Sequence, residues 1–318
     1  MNVLITGGAG FIGFHVAKAL LQRGDTIICV DNFNDYYDVK VKESRNKILE
    51  SYENYYIYRG DVADFMLLKA IAAKHKIGKI CHLAAQAGVR YSLKDPHLYA
   101  RTNITGTLNI FELAKEYGIT QVVFASSSSV YGKSEKFPSS EEDSVDTPIS
   151  LYAATKKSME LMAHTYNHLF GIKMTGLRFF NVYGEFMRPD MMPWIFTENI
   201  YQGKSIMLNN NGDTWKDYTY IGDIVKGVLA ALDNPLEYEI INLGNKNPVH
   251  LRRCVEIIEK ELGKSAIVEH KPLPQGDVLR SCAEISKAKG LLNWEPTTSM
   301  EEGLPKFVQW YKIYKNIN

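Results

Sequence analysis

Two groups of polar residues in the middle of the chain could form an acid–base site. Tyr152 and Lys156 make a Tyr-x-x-x-Lys pair, and four consecutive serines, residues 126–129, precede it. Residues i and i+4 share a helix face, so a lysine ammonium there can lie beside the tyrosine phenol. We expect this cation to lower the phenol pKa, normally near ~10, and to make Tyr152 a base near neutral pH.

The spacing alone does not identify a site, because Tyr36 with Lys40 and Tyr311 with Lys315 match it too. The context favours Tyr152, which follows a predicted strand end that carries free hydroxyls. Without a nucleotide-binding motif elsewhere in the chain, a solvated helix tyrosine beside a lysine would be the preferred interpretation.

Such a motif lies at the N-terminus, where Gly7-x-x-Gly10-x-x-Gly13 directly follows a short apolar run. Glycines at this spacing allow a tight turn and let a diphosphate approach the start of a helix. Asp31 ends the second apolar run, at the distance typical of the acid that binds a ribose 2′-hydroxyl. No Arg or Lys immediately follows it, which favours NAD over NADP. The alternative is a glycine-rich turn with an unrelated surface acid.

Two later dipeptides are candidate cofactor contacts. Asp61 and Val62 follow the third run and could hold the adenine edge, although an exposed turn aspartate explains them nearly as well. Ala84 and Ala85 follow the fourth run and keep side chains small beside a cofactor, as ordinary tight packing would also do.

These motifs need an architecture that brings strand ends together. Six apolar runs alternate with helical spacing in the first part of the chain, at residues 3–5, 27–30, 56–58, 80–83, 122–124 and 174–177. The pattern predicts a doubly wound α/β fold with a parallel sheet. We expect a Rossmann domain over residues 1–178, with a returning segment near 217–245, and a smaller C-terminal α/β substrate-binding domain over most of 179–318.

Composition excludes several function classes. The 37 Lys and Arg residues balance 36 Asp and Glu residues without long runs of one sign, so nucleic acid and membrane surfaces are poor partners. The four cysteines are far apart and form no CxxC pair, which predicts reduced thiols, no metal site and a cytoplasmic location.

Several longer segments carry a family resemblance: "AAQAGVRYS" at 84–92, "SLYAATKK" at 150–157, "LRFFNVYG" at 177–184 and "DYTYIGDIV" at 217–225. With the glycine motif and the Tyr-x-x-x-Lys pair, they resemble the extended short-chain dehydrogenases/reductases, specifically the nucleotide-sugar epimerases and most of all the UDP-glucuronate 4-epimerases. The resemblance implies tightly bound NAD, a UDP-sugar substrate and a homodimer packed through long helices. The cofactor contacts expected on this basis are Gly7, Gly10, Phe11, Ile12, Gly13, Asp31, Asn32, Asp61, Val62, Leu83, Ala84, Ala85, Asn103, Tyr152, Lys156 and Phe179.

The resemblance also assigns catalytic roles. The catalytic hydroxyl lies four residues before the tyrosine of "VYG", which selects Ser127 alongside Tyr152 and Lys156. Related dehydratases and decarboxylases carry acids where this chain has Ser128 and Ser129, and neutral serines could hold a substrate carboxylate without promoting its loss. The other substrate contacts implied are Arg90, Asn181, Arg188, Lys216, Asp277 and Arg280.

Two departures from the family pattern concern the substrate. Asn181 stands where UDP-glucuronate epimerases usually have Thr, and an amide suits a neutral sugar as well as a carboxylate. Lys216 replaces a common phosphate-binding Arg and would bind as a point charge.

The sequence therefore predicts an NAD-dependent epimerase that converts UDP-glucuronate to UDP-galacturonate, for a surface polysaccharide, through a transient 4-keto sugar. A 4-epimerase of UDP-glucose or UDP-N-acetylglucosamine would keep every catalytic assignment. A non-catalytic NAD-binding sensor is the third interpretation, which an intact Ser127, Tyr152 and Lys156 set disfavours.

Overall fold

The computed structural model describes residues 1–134, 136–274 and 276–316. Along the chain, its strands are β1 Asn2–Thr6, β2 Thr26–Asp31, β3 Tyr55–Arg59, β4 Lys79–His82, β5 Gln121–Ser127, β6 Lys173–Phe179, β7 Asn181–Tyr183, β8 Ser205–Asn209, β9 Trp215–Lys216, β10 Tyr218–Tyr220, β11 Tyr238–Leu243, β12 Val249–His250 and β13 Ile267–Lys271. Its helices are α1 Phe11–Gln22, α2 Val39–Leu49, α3 Phe65–Lys74, α4 Pro96–Tyr99, α5 Gly106–Glu116, α6 Leu151–Phe170, α7 Met192–Tyr201, α8 Ile221–Asp233, α9 Leu251–Leu262, α10 Ser286–Leu292 and α11 Met300–Tyr314.

A seven-stranded parallel sheet forms the centre of the molecule, in the order β11-β6-β5-β4-β1-β2-β3. All six strands predicted from apolar runs are present in it, which confirms the doubly wound α/β fold. The reversal of strand order beside β1 creates the crevice where such folds bind nucleotides. The seventh strand, β11, comes from the later part of the chain and pairs with β6 at the sheet edge.

Helices cover both faces of the sheet because successive strand residues point to opposite sides. Val3 and Ile5 of β1 pack into a core that also contains the apolar sides of α1 and α8. Leu4 points the other way, into a second core shared with α3, α5 and α6. The strands are thus covered on both faces. This explains why their sequences are almost continuously apolar and lack the apolar–polar alternation of a sheet with one exposed face.

Three small strand pairs lie in the later part of the chain: β7 with β10, β9 with β12, and β8 with β13. Helices α7, α9 and α11 pack against them, and Trp194, Phe307 and Tyr311 are buried at their contacts. This packing belongs to the same hydrophobic cluster as β1 and α1. The later elements are therefore joined to one face of the central sheet by a continuous core.

The strand ends set the position of the site. β1, β2, β4, β5 and β6 are parallel, so the loops that follow them emerge at one edge of the sheet. Within the ranges described, no helix has the length and apolar character needed to cross a membrane.

Candidate active site

A cavity of about 1060 Å³ opens at this edge, between the sheet and the later strand pairs. Most residues predicted to bind cofactor line it, namely Gly7, Gly10, Phe11, Ile12, Gly13, Asp31, Asn32, Asp61, Val62, Leu83, Ala84, Ala85, Tyr152, Lys156 and Phe179. So do most residues predicted for catalysis or substrate binding, namely Ser127, Ser128, Ser129, Asn181, Arg188, Lys216, Asp277 and Arg280. The structure therefore brings two sets of distant residues to one cavity.

The glycine-rich turn forms the floor of one end. Gly7 has a φ of +73°, and a Cβ there would come 2.8 Å from Ala84 N, so this position suits glycine on both counts. A Cβ on Gly13 would lie 2.1 Å from Gly7 O. The turn thus keeps its backbone close-packed as it enters α1, whose first-turn N–H groups lack helical acceptors. A dinucleotide diphosphate fits this surface.

Asp31 lies beside the turn. Its carboxylate accepts hydrogen bonds from Ala9 N at 3.1 Å and Phe33 N at 2.9 Å. Lys42 Nζ is 3.8 Å from the same carboxylate and 2.8 Å from Asn34 Oδ1. No cation follows Asp31 directly in the sequence, but helix α2 folds Lys42 back onto the end of β2.

The serines at the end of β5 make different hydrogen bonds. Ser126 Oγ donates to Glu160 at 2.6 Å in a buried network, while Ser127 Oγ accepts from Ser129 N at 3.2 Å and caps a short 3₁₀ helix, Ser128–Tyr131. The Oγ of Ser129 is buried at the cavity wall and has no hydrogen-bond partner among the described residues. A buried hydroxyl without a hydrogen-bond partner is costly, so this Oγ remains available to donate a hydrogen bond.

Tyr152 and Lys156 lie at the start of α6. Ser150 caps this helix by accepting from Ala153 N at 3.1 Å, which places both side chains in its first turns and towards the cavity. Lys156 is fully buried, and its Nζ donates to Ala125 O at 2.7 Å, 5.9 Å from the centre of the Tyr152 ring. The lysine is thus held between the end of β5 and the phenol.

The expected lowering of the Tyr152 pKa by Lys156 is wrong for the protein's own residues. Burial raises the Tyr152 pKa, and only Ser127 and the charge of Arg188 oppose this rise. Burial also lowers the pKa of Lys156 to about 7, with Glu160 opposing the shift. A lysine that is itself desolvated is a weak source of positive charge near neutral pH, so it cannot by itself offset the desolvation of the phenol.

Lys216, at the opposite wall, is held by a segment distant in sequence. Trp215 N donates to Leu279 O and Ser281 N to Trp215 O, both at 3.0 Å, which lays residues 278–281 along β9. Lys216 Nζ donates to Val278 O, and burial lowers its pKa to about 8 against the opposing charge of Asp277.

Two residues predicted to contact ligands, Arg90 and Asn103, do not line the cavity. Arg90 is largely exposed outside the cavity lining and pairs with Asp277 at 2.6 Å. Asn103 is fully buried behind the lining, where it donates to Gln86 O at 3.0 Å and accepts from Gln86 N at 2.8 Å. Asn103 therefore shapes the loop after β4 from beneath.

The sequence interpretation missed Gln86, Tyr36 and Lys42, which all line the cavity. Gln86 Nε2 is buried without a partner in the described part of the chain. The residue lies within the "AAQAGVRYS" segment, so its motif setting was the available signal. Among described residues, no group of three His, Cys, Asp or Glu could hold a metal ion.

The parallel sheet and its glycine-rich turn define a dinucleotide-binding Rossmann protein, and Ser127, Tyr152 and Lys156 lie together in its cavity. The chain matches the family described as GDP-mannose 4,6 dehydratase over residues 4–307. It is 51% identical over 312 residues to an uncharacterized protein of Methanocaldococcus jannaschii, covering 98% of this chain and 96% of that one. It is 48% identical over 311 residues to a UDP-glucuronate 4-epimerase of Thermodesulfobacterium geofontis, covering 97% and 95%.

Solved structures agree. The fold matches UDP-glucuronic acid 4-epimerase from Bacillus cereus, in complex with UDP-glucuronic acid and NAD, with a TM-score of 0.92 and 33% identity over 99% of this chain and 100% of that one. It also matches UDP-glucose 4-epimerase from Thermotoga maritima, with a TM-score of 0.90, 33% identity and the same coverage. The chain therefore belongs to this extended short-chain dehydrogenase/reductase family, which confirms the resemblance.

Proposed function

We propose that the protein is an NAD-dependent UDP-sugar 4-epimerase that interconverts UDP-glucuronate and UDP-galacturonate. The observation that carries this proposal is the meeting of Ser127, Tyr152 and Lys156 in one cavity that begins at the glycine-rich turn. Relatives named UDP-glucuronate 4-epimerase match nearly the whole chain. A pure NAD sensor would need no buried base beside its cofactor site.

The residues at the glycine-rich end fit NAD. The backbone of Gly7–Gly13 would hold the diphosphate, Asp31 the adenosine ribose, and Asp61 with Val62 the adenine edge. Bound NAD would supply the acceptor and the donor for the hydride of the sugar. Its positive nicotinamide ring would also add charge near Tyr152, which the chain's own residues supply only weakly.

Tyr152 is the proposed base. It takes the proton from the C4 hydroxyl as that carbon is oxidised, and returns it when the 4-keto sugar is reduced on its other face. Ser127 shares the hydrogen bond to the reacting oxygen, since it lines the same cavity as Tyr152 and its hydroxyl opposes the rise of the phenol pKa. Lys156, anchored on Ala125 O, holds the base in place.

The carboxylate of the sugar is assigned to Ser128 and Ser129. The free Oγ of Ser129 can donate to an anion and removes the cost of a buried unpaired hydroxyl when it does so. Both side chains are neutral, so they bind the carboxylate without acting as an acid or base on it. Arg188, Lys216, Asp277 and Arg280 are the proposed contacts of the diphosphate and uridine.

One observation favours a neutral sugar as an additional substrate. Asn181 Nδ2 donates to the carbonyl of Asp217 at 3.1 Å. Because a backbone carbonyl can only accept, the amide nitrogen of Asn181 is the end bound there, which leaves the amide oxygen as the end available to a ligand in the cavity. An acceptor binds a hydroxyl and repels a carboxylate, so this contact suits UDP-glucose or UDP-N-acetylglucosamine.

The test is to incubate the purified protein with UDP-glucuronate, UDP-glucose and UDP-N-acetylglucosamine separately and to follow the anomeric signals by NMR. We expect UDP-glucuronate to equilibrate with UDP-galacturonate. Turnover of a neutral sugar with inert glucuronate would replace the proposed substrate, and no turnover of any sugar would favour a binding protein.

Tyr152→Phe tests the base. We expect epimerisation to fall by about 10²–10⁴-fold while NAD stays bound, the usual range for loss of a general base. Tyr311→Phe is a matched control, because Tyr311 and Lys315 share the spacing but do not line the cavity. Substantial activity in Tyr152→Phe would exclude the phenol as base.

We further propose that residues 1–178 with 217–245 hold NAD and that most of 179–318 holds the UDP-sugar. A homodimer through α5 and α6 is supported by exposed apolar side chains there, at Leu108, Leu161, Leu169 and Phe170. Buried free cysteines support a reducing cytoplasmic setting, where the product would supply a surface polysaccharide. Leu161→Lys should convert a dimer to monomer in light scattering; an unchanged mass would exclude this interface.

A further inference from the structure

Tyr36, on the loop after β2, contacts two other loops at the mouth of the cavity. Its hydroxyl donates to Asp190 Oδ2 at 3.1 Å, and its ring meets Tyr91 edge-on with centroids 5.0 Å apart. The hydroxyl also lies against Gly88, where a Cβ would come within 2.5 Å. Loops that follow β2, β4 and β7 therefore converge on one side chain.

Asp190 holds Arg188 in place from the same loop. Arg188 Nε donates to Asp190 Oδ1 at 2.9 Å and Nη2 to Oδ2 at 2.8 Å, a bidentate pair that fixes the guanidinium plane. The guanidinium lies 5.7 Å from the centre of the Tyr36 ring. Tyr36 thus supports both members of the pair.

This cluster lies on the wall of the cavity that begins at the glycine-rich turn. Tyr36 and Arg188 both line that cavity, as do Asp31 and Lys42 beside the turn. The loop that carries Arg188 therefore faces the same cavity as the predicted cofactor groove.

The base of the Arg188 loop is fastened to the glycine-rich turn. Arg45 is fully buried, and its guanidinium donates to Ala9 O at 3.0 Å and to Phe186 O at 2.6 Å and 3.1 Å. One side chain thus ties residue 186 to the turn that would carry the diphosphate. The segment 186–190 is anchored by Arg45 at one end and by Tyr36 at the other.

We propose that residues 186–190, fastened by the Tyr36–Asp190 hydrogen bond, form a strap across the bound dinucleotide and slow its release. The proposal rests on the proposed function in taking that dinucleotide to be NAD. An epimerase returns the hydride to the sugar it came from, so loss of the cofactor between the two steps would leave an oxidised sugar and an inactive enzyme. A strap that spans the groove prevents this loss.

The test measures NAD release from the purified holoenzyme without turnover. Wild type, Tyr36→Phe and Asp190→Asn are mixed with an excess of an NAD-scavenging enzyme, and the NAD remaining on the protein is followed over time after rapid desalting. We expect release about tenfold faster in Tyr36→Phe, which loses one hydrogen bond to a charged group, and faster still in Asp190→Asn. Tyr56→Phe, at an exposed tyrosine of β3, should match wild type.

Unchanged release in both strap variants, at wild-type melting temperature, would overturn the proposal. So would a raised KM for the UDP-sugar with unchanged NAD release, because the segment would then act on the substrate. An equal acceleration in Tyr56→Phe would show a non-specific effect and would also refute it. Since no turnover is needed, a protein that retains NAD but epimerises no sugar would refute the proposed function and leave this test intact.

Discussion

The two walls of the cavity are built in different ways. The wall with the glycine-rich turn comes from loops that directly follow neighbouring parallel strands. Many of its contacts join residues that are close in sequence, such as Gly10 N and Gly7 O at 3.0 Å. The opposite wall joins residues from β7, β9 and the segment 277–281, which are far apart in the chain.

One buried carboxylate holds the second wall together. Asp217 is fully buried and accepts from Asn245 N at 2.6 Å, Ala283 N at 2.9 Å and Lys246 N at 3.1 Å. In the first wall the sheet register already aligns the loops, and the buried carboxylate of Asp31 accepts from Ala9 N and Phe33 N beside its own strand end. The comparison indicates that the wall proposed to bind the cofactor depends on the sheet, whereas the wall proposed to bind the sugar depends on a few long-range polar contacts.

Asp217→Ala should affect the second wall far more than the first, and it is the substitution with the largest expected effect. Three backbone N–H donors would lose their acceptor, and we expect the free energy of unfolding to fall by about 3–5 kcal/mol. UDP affinity should fall with it, while NAD affinity is largely kept in the protein that remains folded. Denaturant unfolding and calorimetric titration measure these quantities. Asp213→Ala, at an exposed neighbouring aspartate, is the control.

An Asp217→Ala variant that lost NAD and UDP affinity equally would contradict the independence of the two walls. A variant with unchanged stability would show that the three hydrogen bonds contribute little.

His82 should make the first wall sensitive to acid. It is fully buried between the hydroxyls of Thr6 and Thr107, at 2.7 Å and 3.0 Å, and burial lowers its pKa to about 3. His82 of the unfolded chain binds a proton near pH 6.5, whereas His82 of the folded protein does not. The contribution of neutral His82 to the free energy of unfolding is therefore complete above pH 6.5 and declines as the pH falls. By pH 4 the loss amounts to about 3 kcal/mol.

Stability curves from pH 7 to pH 4 measure this decline. His82→Gln keeps a polar side chain without a titrating group, and its unfolding free energy should fall less steeply over the same range. Identical slopes in the variant and the wild type would exclude His82 as the cause.

Lys216 should give the second wall a smaller, alkaline sensitivity. Because burial lowers its pKa to about 8, its charge declines as the pH rises through that value. If UDP binds only when Lys216 is charged, its affinity should fall by about 30-fold between pH 7 and pH 9.5, or about 2 kcal/mol. Lys216→Arg should remove this dependence, since arginine stays charged. If titrations with UDP showed the same pH dependence in the wild type and in Lys216→Arg, Lys216 would be excluded as its cause.

Sequence alone determined the parallel sheet, the glycine-rich turn and the shared helix face of Tyr152 and Lys156. Each depends on local spacing: apolar runs form doubly buried strands, Gly7 to Gly13 span one turn, and Tyr152 with Lys156 share one helix face. The spacing between nearby residues can be read directly from the sequence, so these features could be predicted, and the structure contains them.

Tertiary structure decided what the chain order conceals. It brought Lys42 beside Asp31, engaged the amide nitrogen of Asn181 with Asp217 O and placed Asn103 behind the cavity lining. It also raised the Tyr152 pKa where spacing predicted a lower one. Burial and long-range pairing cause all of these differences, and both depend on where distant segments meet, which residue spacing does not encode.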